Sequence, residues 1–595
     1  MKHGPSRSGT MRSKLTAGVL FASGATLPGC PGGEQGSSGS TADATDTSTG
    51  SGSSEESGGA STSTTTTTAG NDDTTTGAST GASTTSEITT DASSTTEATT
   101  EASTGASSTG ETTTEASTGA SSTGDASTGA DTTEGGSSGA PGACGDGAVD
   151  PGEACDDGNS DEADACSTQC ELNKALSVTM GYEYTCASIS GETVKCWGRN
   201  DSGQLGLGDI APRGDEPGEM GDALPFVQLG APAVEVDSGF DSTCARLADG
   251  GLKCWGANFN GQLGLGDTEY RGYKAGQMGA QLPYVDLGAG KAVVAMSLGN
   301  KFACAVLDTG QVKCWGINWL GQLGLGDKID RGTKPGEMGD GLPPVDLGQG
   351  VKVVDVAAGV SHTCALLEGG SVKCWGRGDG GQLGLGDKAS RGDGPGEMGD
   401  TLPAVDLGPG AVVTSLVAAG GHTCALLTTH AVKCWGRNDD GQLGLGDTDH
   451  RGDAPGEMGQ QLPAVDLGAG KTAVALGASI RSTCALFDDG TIKCWGWNLY
   501  GQLGLGDKDA RGDQPGEMGD NLPIVDLGQG QSAVSLGSSN EATHQCAVLA
   551  EGPVKCWGNN NPGGQLGLGD TLLRGDNPGE MGDSLPTVKL LTPAW

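Results

Sequence analysis

One sequence motif recurs seven times between Cys186 and the end of the chain. Each copy combines T-C-A-L, V-K-C-W-G, G-Q-L-G-L-G-D, R-G-D-x-P-G-E-M-G-D and L-P-x-V-D-L-G, with small variations. The first cysteine of each copy stands at 186, 244, 304, 364, 424, 484 and 546, so the period is close to 60 residues. A fixed period of this length is typical of repeat architectures, in which each unit buries its apolar faces against its neighbours. Positions shared by all seven copies therefore cannot define a single catalytic centre.

Within one copy, short apolar runs alternate with glycine-rich turns. In the fourth copy these runs occupy residues 353–356, 363–367, 372–376 and 405–407. Four short strands per unit, repeated radially, predict a β-propeller. The fold class predicted is all-β, a seven-bladed β-propeller of about 60-residue repeats over residues 171–595.

The cysteines follow a separate pattern. Of the nineteen, one is Cys30, four lie between 144 and 170, and fourteen form C-x9-C pairs in the repeats. A three-residue hairpin loop such as 308–310, with glycine at its left-handed position, would place Cys304 opposite Cys314. A zinc site needs four ligands and each copy supplies two, so disulfides are favoured. The predicted pairs are Cys186–Cys196, Cys244–Cys254, Cys304–Cys314, Cys364–Cys374, Cys424–Cys434, Cys484–Cys494 and Cys546–Cys556.

The first thirty residues have the pattern of an export signal. Four basic residues precede an apolar run over 15–27, which is too short to span a bilayer as a helix. The run ends in Leu27-Pro28-Gly29-Cys30, which resembles the lipobox of bacterial lipoproteins. The resemblance implies acylation of Cys30 and an anchor at the outer membrane or cell surface. Cleavage without a lipid, giving a secreted protein, is the alternative.

Residues 31–143 are almost wholly Ser, Thr, Gly, Ala and acidic residues. Such a segment has little to bury and cannot offset its ordering entropy, so it is predicted to be a disordered stalk. The net charge of the chain is −41, which opposes nucleic-acid binding and repels anionic lipid. Membrane contact is therefore expected through the anchor alone.

Residues 144–170 form a separate cysteine-rich segment. They carry Cys144, Cys155, Cys166 and Cys170 and resemble small C-G-D-G…C-D-D-G-N modules of secreted bacterial proteins. So short a segment needs disulfides or a metal to hold it together. Asp156, Asp157 and Asp161 offer oxygen ligands for calcium, but their spacing departs from a D-x-D-x-D-G loop. A solvated acidic turn is favoured, with calcium as the alternative; no other cofactor is predicted.

The repeats resemble the regulator-of-chromosome-condensation family. Its motif H-T-x-A-L…G-x-V-x-x-W-G-x-N-x-x-G-Q-L-G is matched by residues 362–366, 375–376 and 381–384. The resemblance implies a seven-bladed propeller. Exported bacterial members, such as the β-lactamase-inhibitor proteins, imply binding of a protein partner through one face. Eukaryotic members imply guanine-nucleotide exchange at chromatin, which the export signal and acidic charge disfavour.

Several shared positions are assigned to folding. The repeated tryptophans are predicted to fill the wedges between blades. Their positions are 197, 255, 315, 375, 435, 495 and 557. The Arg-Gly-Asp triplets are interpreted as a loop consensus rather than integrin ligands, because two copies carry Tyr273 or Thr333 in place of the aspartate. The histidines at 362, 422 and 544 are replaced by other residues in four copies, which argues against a metal ring.

Function is expected where the copies differ, and the segment after each Trp-Gly varies most. Equivalent loops share one face of a propeller, and exposed aromatic residues often anchor binding partners. Aromatic residues account for only 4% of the chain, yet several fall in these loops. The candidate partner-binding residues are Phe259, Trp319, Trp497, Tyr500, Arg377, Arg437, Asp439 and Asp440. Local capping of blade edges by these rings is the alternative.

No nucleophile–base pair, carboxylate dyad or cofactor motif is confined to one copy, so the chain is predicted not to be an enzyme. The function predicted is a surface-tethered recognition module that binds an unidentified protein or extracellular polymer through one loop face. A structural or adhesive coat protein is the competing interpretation.

Overall fold

The computed structural model describes Cys166 and residues 173–591. Over this range, twenty-one strands form seven antiparallel sheets of three consecutive strands each. Each sheet is one blade, numbered 1 to 7 along the chain. No helix in the described range is long and apolar enough to cross a membrane. The predicted all-β, seven-bladed β-propeller is confirmed, since almost no helix is present.

The first strands of neighbouring blades contact one another around the axis. They are β1 (Ala175–Gly181), β4 (Ala233–Ser238), β7 (Val293–Leu298), β10 (Val353–Ala358), β13 (Val413–Ala419), β16 (Ala473–Ser479) and β19 (Ala533–Leu536). The middle strands are β2 (Tyr184–Ile189), β5 (Ser242–Leu247), β8 (Phe302–Leu307), β11 (His362–Leu367), β14 (His422–Leu427), β17 (Ser482–Phe487) and β20 (His544–Leu549). The third strands are β3 (Thr193–Gly198), β6 (Leu252–Gly256), β9 (Val312–Gly316), β12 (Val372–Gly376), β15 (Val432–Gly436), β18 (Ile492–Gly496) and β21 (Val554–Gly558).

The middle and third strands of each blade are joined by a hairpin and a disulfide. In blade 3, Gly310 has φ 79°, and its N–H closes the loop on the Leu307 carbonyl at 2.8 Å. This left-handed position favours glycine. Cys304 pairs directly with Cys314 across the ladder, with Cα atoms 4.1 Å apart. All seven predicted intra-repeat disulfides are present in residues 173–591.

The prediction of four strands per blade is wrong for the segment after Leu-Pro. In blade 4 this segment makes one backbone hydrogen bond to the third strand, from Val405 N–H to the Val372 carbonyl. The next carbonyl, that of Asp406, accepts from Gly459 N–H of blade 5 at 2.9 Å. The segment therefore divides its hydrogen bonds between two blades and cannot continue a regular ladder. Short 3₁₀ turns precede it in six blades: Gly221–Ala223, Gly279–Gln281, Gly339–Gly341, Gly399–Thr401, Gly519–Asn521 and Gly582–Ser584.

The hydrophobic core lies between blades rather than within them. Residues 173–591 contain seven buried clusters, and each joins the strands of one blade to those of the next. One of these clusters joins blade 7 to blade 1, which closes the ring. Each sheet uses three consecutive strands, so closure depends on packing between the two terminal blades.

Candidate recognition face

The variable loops lie together on one face because each follows the end of a third strand, beside the turn that joins the first and middle strands of its blade. In blade 4, Arg377 N–H donates to the Ser361 carbonyl in the turn between the first and middle strands, at 2.9 Å. Gly376 bridges to Arg391, which follows the second variable segment. We call the residues after each Trp-Gly, these turns, and the segments before each Arg-Gly the loop face. Its members recur at the same place in every blade.

Two aromatic side chains project from the loop face on neighbouring blades. Phe259 of blade 2 is 75% exposed and Trp319 of blade 3 is 65% exposed. The preceding residues, Asn258 and Asn318, are buried and bind the backbone of their own loops. The rings are therefore presented by rigid turns, as a preorganised binding surface requires.

Blade 6 places its aromatic residues differently. Trp497 and Tyr500 are half-buried and pack edge to face, with ring centroids 5.3 Å apart. Leu499, which sequence analysis did not select, is the exposed member of this loop at 52%. Trp497 and Tyr500 support the loop, while Leu499 provides its apolar surface.

Further exposed apolar residues lie in the segments before each Arg-Gly. Ile210, Ile329 and Leu572 belong to blades 1, 3 and 7 and are all exposed. The variability of this segment is a sequence signal that could have identified them. Together with Phe259 and Trp319 they place exposed apolar side chains on the loop face of blades 1 to 3 and 7, beside the Arg199–Asp201 ion pair of blade 1.

Blades 4 and 5 carry the predicted charged residues of the loop face. The Arg377 guanidinium contacts Asp379 at 2.6 Å, and Arg437 reaches the same carboxylate at 3.6 Å. Asp440 pairs with Arg481 of blade 6. Burial acts to raise the pKa of Asp379, but the hydrogen bond from Arg377, the charges of Arg377 and Arg437 and a hydrogen bond from Gln382 outweigh it and lower that pKa. These charges form a network between blades instead of separate pairs.

Asp439 extends the charged surface outward. Its carboxylate lies 3.2 Å from Nε2 of His450, in the second variable segment of the same blade. Both side chains are partly exposed. The structure therefore brings together the predicted arginines and aspartates on neighbouring blades, and it places the predicted aromatic residues in other blades of the same face.

The shared residues hold adjacent blades together. Each repeat tryptophan is fully buried and donates its indole N–H to a glutamine carbonyl of the preceding blade, as Trp375 does to Gln322 at 3.0 Å. The bond from Trp197 to Gln565 closes the ring in the same way. The seven tryptophans therefore fill the wedges between blades, as predicted.

The lysine of each V-K-C-W-G run has a structural role that sequence analysis missed. The ammonium of Lys195 donates to the carbonyls of Gly221 and Leu590, so it links blades 1 and 7. Burial lowers the pKa of Lys195 to about 8. Lys373 makes equivalent bonds to Leu347 and Gly399.

The Arg-Gly-Asp triplets are tied into the fold. Arg391 pairs with Asp387 of the preceding G-L-G-D run at 2.7 Å, and the equivalent pair recurs in each of the seven described blades. Asp393 of the triplet binds Lys328 of blade 3 at 2.8 Å. Both ends of the triplet are engaged, which supports the loop-consensus interpretation.

The buried histidines also connect blades. His362 Nε2 lies 2.9 Å from the Thr423 hydroxyl, which itself donates to the Gln382 carbonyl. The hydroxyl must therefore accept from Nε2–H, and Nδ1 is left without a partner. Burial lowers the pKa of His362 to about 3, because a proton on Nδ1 would add an unpaired buried charge.

Acid should destabilise the protein through these histidines. Burial lowers the pKa of His422 to about 4 and that of His544 to about 3, against 6.5 in the unfolded chain. As pH falls below 6.5 the unfolded state binds protons that the folded state excludes, at about 1.4 kcal/mol per histidine per pH unit. We expect the denaturant midpoint to fall between pH 7 and 4.5.

The control replaces each histidine with serine, the residue found at 242 and 482. The triple variant should lose stability less steeply over the same pH range. Burial raises the pKa of Asp241 and Glu541, which act in the opposite direction, so the difference between the two proteins is the measured quantity. Parallel slopes would contradict the assignment.

Comparison with known proteins identifies the family. Residues 233–262, 293–322, 353–382, 413–442 and 472–502 match the Regulator of chromosome condensation (RCC1) repeat, and residues 309–366 match a second version of it. The chain is 31% identical over 405 residues to the ultraviolet-B receptor UVR8 of Arabidopsis thaliana, covering 67% of this chain and 80% of that one. The chain belongs to the RCC1-repeat family.

Other similar proteins match over less of their length or at lower identity. The E3 ubiquitin-protein ligase HERC2 of Homo sapiens is 30% identical over 267 residues, covering 44% of this chain and 5% of that protein. The crystal structure of Prp20p from Saccharomyces cerevisiae has 20% identity and a TM-score of 0.47, and covers 70% of this chain and 87% of that chain. The predicted family resemblance of this RCC1-repeat protein is confirmed.

The remaining predicted sites of this RCC1-repeat protein lie outside the described residues, except for one cysteine. Cys166 is buried and disulfide-bonded. The lipid site and the other predicted module residues lie in the part of the chain that is not described: Cys30, Cys144, Cys155, Cys170, Asp156, Asp157 and Asp161.

Proposed function

We propose that the propeller is a non-catalytic recognition module that binds a protein partner through the apolar part of its loop face. The observation that carries this proposal is the exposure of Phe259 and Trp319 on neighbouring blades. The repeat tryptophans, which pack between blades, are all fully buried. Phe259 and Trp319 are instead largely exposed, so packing of the core does not account for these two rings. Exposed aromatic residues on rigid loops are typical of binding hot spots.

The charged network beside the aromatic residues suits a role in orientation. Arg377, Asp379 and Arg437 bind one another, so a partner would meet a nearly balanced surface. Such a surface adds specificity and sets the approach of a partner more than it adds affinity. Affinity should come mainly from the apolar anchors.

The proposal is tested with alanine variants and the full chain as bait. Phe259→Ala and Trp319→Ala should each weaken capture of a partner from extracts of the producing cell by roughly 2 kcal/mol, the loss typical of a hot spot. Leu176→Ala is the matched control, because Leu176 is 52% exposed on an axial strand away from the loop face. Equal capture by all variants would favour the structural or adhesive coat protein.

We also propose that the module is tethered to the cell surface through Cys30. The basis is the signal-like segment ending in Leu27-Pro28-Gly29-Cys30 and the Ser-, Thr-, Gly- and Ala-rich composition of residues 31–143, which would act as a spacer. Cys30→Ser should move the protein from the membrane fraction to the soluble fraction. Unchanged membrane association of this variant would exclude the lipid anchor.

A further inference from the structure

The axis of the propeller contains a cavity of about 970 Å³. Its walls are the first strands of blades 1, 2, 3, 4, 5 and 7. Because side chains alternate along a strand, the third and fifth residues of each first strand face the axis. Ser177 and Thr179 hold these positions in blade 1, and Glu235 and Asp237 hold them in blade 2.

The cavity is closed at the loop face by a turn specific to blade 7. Residues 537–543 form a longer turn than in the other copies and reach across the axis. Asn540 donates from Nδ2 to the Leu298 carbonyl of blade 3, and its own carbonyl accepts from Gly420 of blade 5 at 2.9 Å. Asn300 of blade 3 binds Glu541. The turn therefore converts an axial channel into a pocket with a floor.

Among the polar atoms without a hydrogen-bond partner, Asn540 Oδ1 lies at this floor and Ser535 Oγ lies on the wall of blade 7. Both residues are 2% exposed and line the cavity. The amide of Asn540 cannot be reversed, because its nitrogen donates to the Leu298 carbonyl. The floor thus presents a carbonyl acceptor without a donor. A buried polar group left in this state is costly unless a ligand or water supplies its partner.

The cavity lining has a surplus of acidic side chains. It contains five carboxylates and one guanidinium, Arg246, which pairs with Glu235 at 2.8 Å. Asp237 accepts from the Thr179 hydroxyl and from Leu298 N–H, and Asp355 accepts from Val356 N–H. Glu192 and Asp249 lie in exposed hairpins beside the starts of the first strands, at the mouth of the cavity. Blades 5 and 7 contribute no charge to the lining, so the acidic wall faces an uncharged one.

The rest of the lining is largely apolar. Buried apolar side chains of the cores between blades border the cavity: Val236, Met296, Val356, Leu416 and Leu536. Val234 and Val294 are partly exposed near the start of their strands and extend the apolar surface outward. A ligand that fits this lining has a hydrocarbon body and a cationic group with N–H donors.

We propose that the axial cavity binds an organic ammonium ion, with the ammonium toward Asn540, Ser535 and the acidic wall. Its N–H groups satisfy the unpartnered acceptors, its charge complements the carboxylates, and its hydrocarbon body covers the apolar walls. The floor of this site is a turn of the loop face, but the lining contains none of the candidate partner-binding residues, so the site does not depend on partner binding there. The ammonium can belong to a free amine or to a lysine side chain of a peptide.

The test is calorimetric titration of the full chain with n-octylammonium, n-octanol and n-octanoate, which share one apolar body. Octylammonium should bind, and octanol and octanoate should bind at least about tenfold more weakly, as expected for loss of a charged hydrogen bond. Acetyl-Leu-Lys-Leu-amide provides the peptide arm. Displacement of octylammonium by this peptide assigns the site to lysine side chains, and its failure to bind assigns the site to free amines.

Two variants use residues that the scaffold already accepts. Asp355→Ser introduces the residue found at 177, 415 and 535, and Ser535→Ala introduces the residue found at 295 and 475. Asp355→Ser should weaken octylammonium binding about tenfold, and Ser535→Ala should weaken it less. Asp308→Asn, on an exposed hairpin outside the cavity, is the control and should bind normally. Absence of octylammonium binding, equal binding of the three probes, or no effect of Asp355→Ser would overturn the proposal.

Discussion

Reduction of the disulfides should unfold the propeller at denaturant concentrations at which the oxidised protein stays folded. Each bond closes a loop with a sequence separation of 10, and closing a loop of this size stabilises a fold by about 3 kcal/mol. The seven bonds of residues 173–591 together contribute about 20 kcal/mol, which exceeds the net stability of a typical domain. Tryptophan fluorescence against denaturant, with and without reductant, measures this effect.

The reduction experiment has a kinetic counterpart and a single-blade control. All fourteen repeat cysteines are at most 1% exposed, so a reductant should reach them only after a blade opens. Reduction in the absence of denaturant should therefore be slow. Replacing Cys364 and Cys374 with alanine should lower the free energy of unfolding by about 3 kcal/mol. Identical denaturation curves for oxidised and reduced protein would contradict the predicted role of the disulfides.

Trp375→Ala should be among the most destabilising single substitutions, at about 4 kcal/mol. The indole is completely buried in the cluster between blades 3 and 4, and its N–H binds the Gln322 carbonyl. Gly324 approaches the ring so closely that a Cβ there would lie 2.7 Å from Nε1. Truncation therefore leaves a cavity between two rigid walls and removes one of the two donors to the Gln322 carbonyl, the other being the Thr363 hydroxyl. Chemical denaturation of the purified variant measures the loss.

Trp319→Ala supplies the matched comparison for Trp375→Ala. Trp319 belongs to blade 3 and Trp375 to blade 4. Because Trp319 is 65% exposed, its replacement should change the free energy of unfolding by less than about 0.5 kcal/mol. Trp375→Phe retains much of the buried area and loses the indole hydrogen bond, so it should cost clearly less than the alanine variant. Similar losses for Trp375→Ala and Trp319→Ala would contradict the division between structural and surface tryptophans.

The sequence predicted the fold and the disulfides because both depend on periodic patterns. A period of about 60 residues determined the repeat architecture, and the C-x9-C spacing with a glycine turn determined which cysteines face each other. The burial of Trp375 was predicted because every copy carries a tryptophan at the equivalent position. The fourth strand was predicted wrongly, because no pattern within one copy shows that Asp406 binds the next blade.

The candidate sites depended on the ring as a whole. Variability between copies selected Phe259 and Trp319, and it also selected Trp497, which the fold half-buries against Tyr500. Exposure of a loop residue depends on how its loop packs in the folded chain, and the pattern of variability does not show that Trp497 packs on Tyr500 of its own loop.

What the sequence by itself determined is the set of contacts that repeat, since a repeated contact leaves a repeated residue. What only the tertiary structure decided is where the copies meet across the axis. The turn over residues 537–543 is an insertion of two residues in sequence, yet it closes the axial cavity by binding blades 3 and 5. Residues such as Asn540 and Leu298 are 242 positions apart and come together only because the ring closes. Such a contact occurs once, so it leaves no period in the sequence.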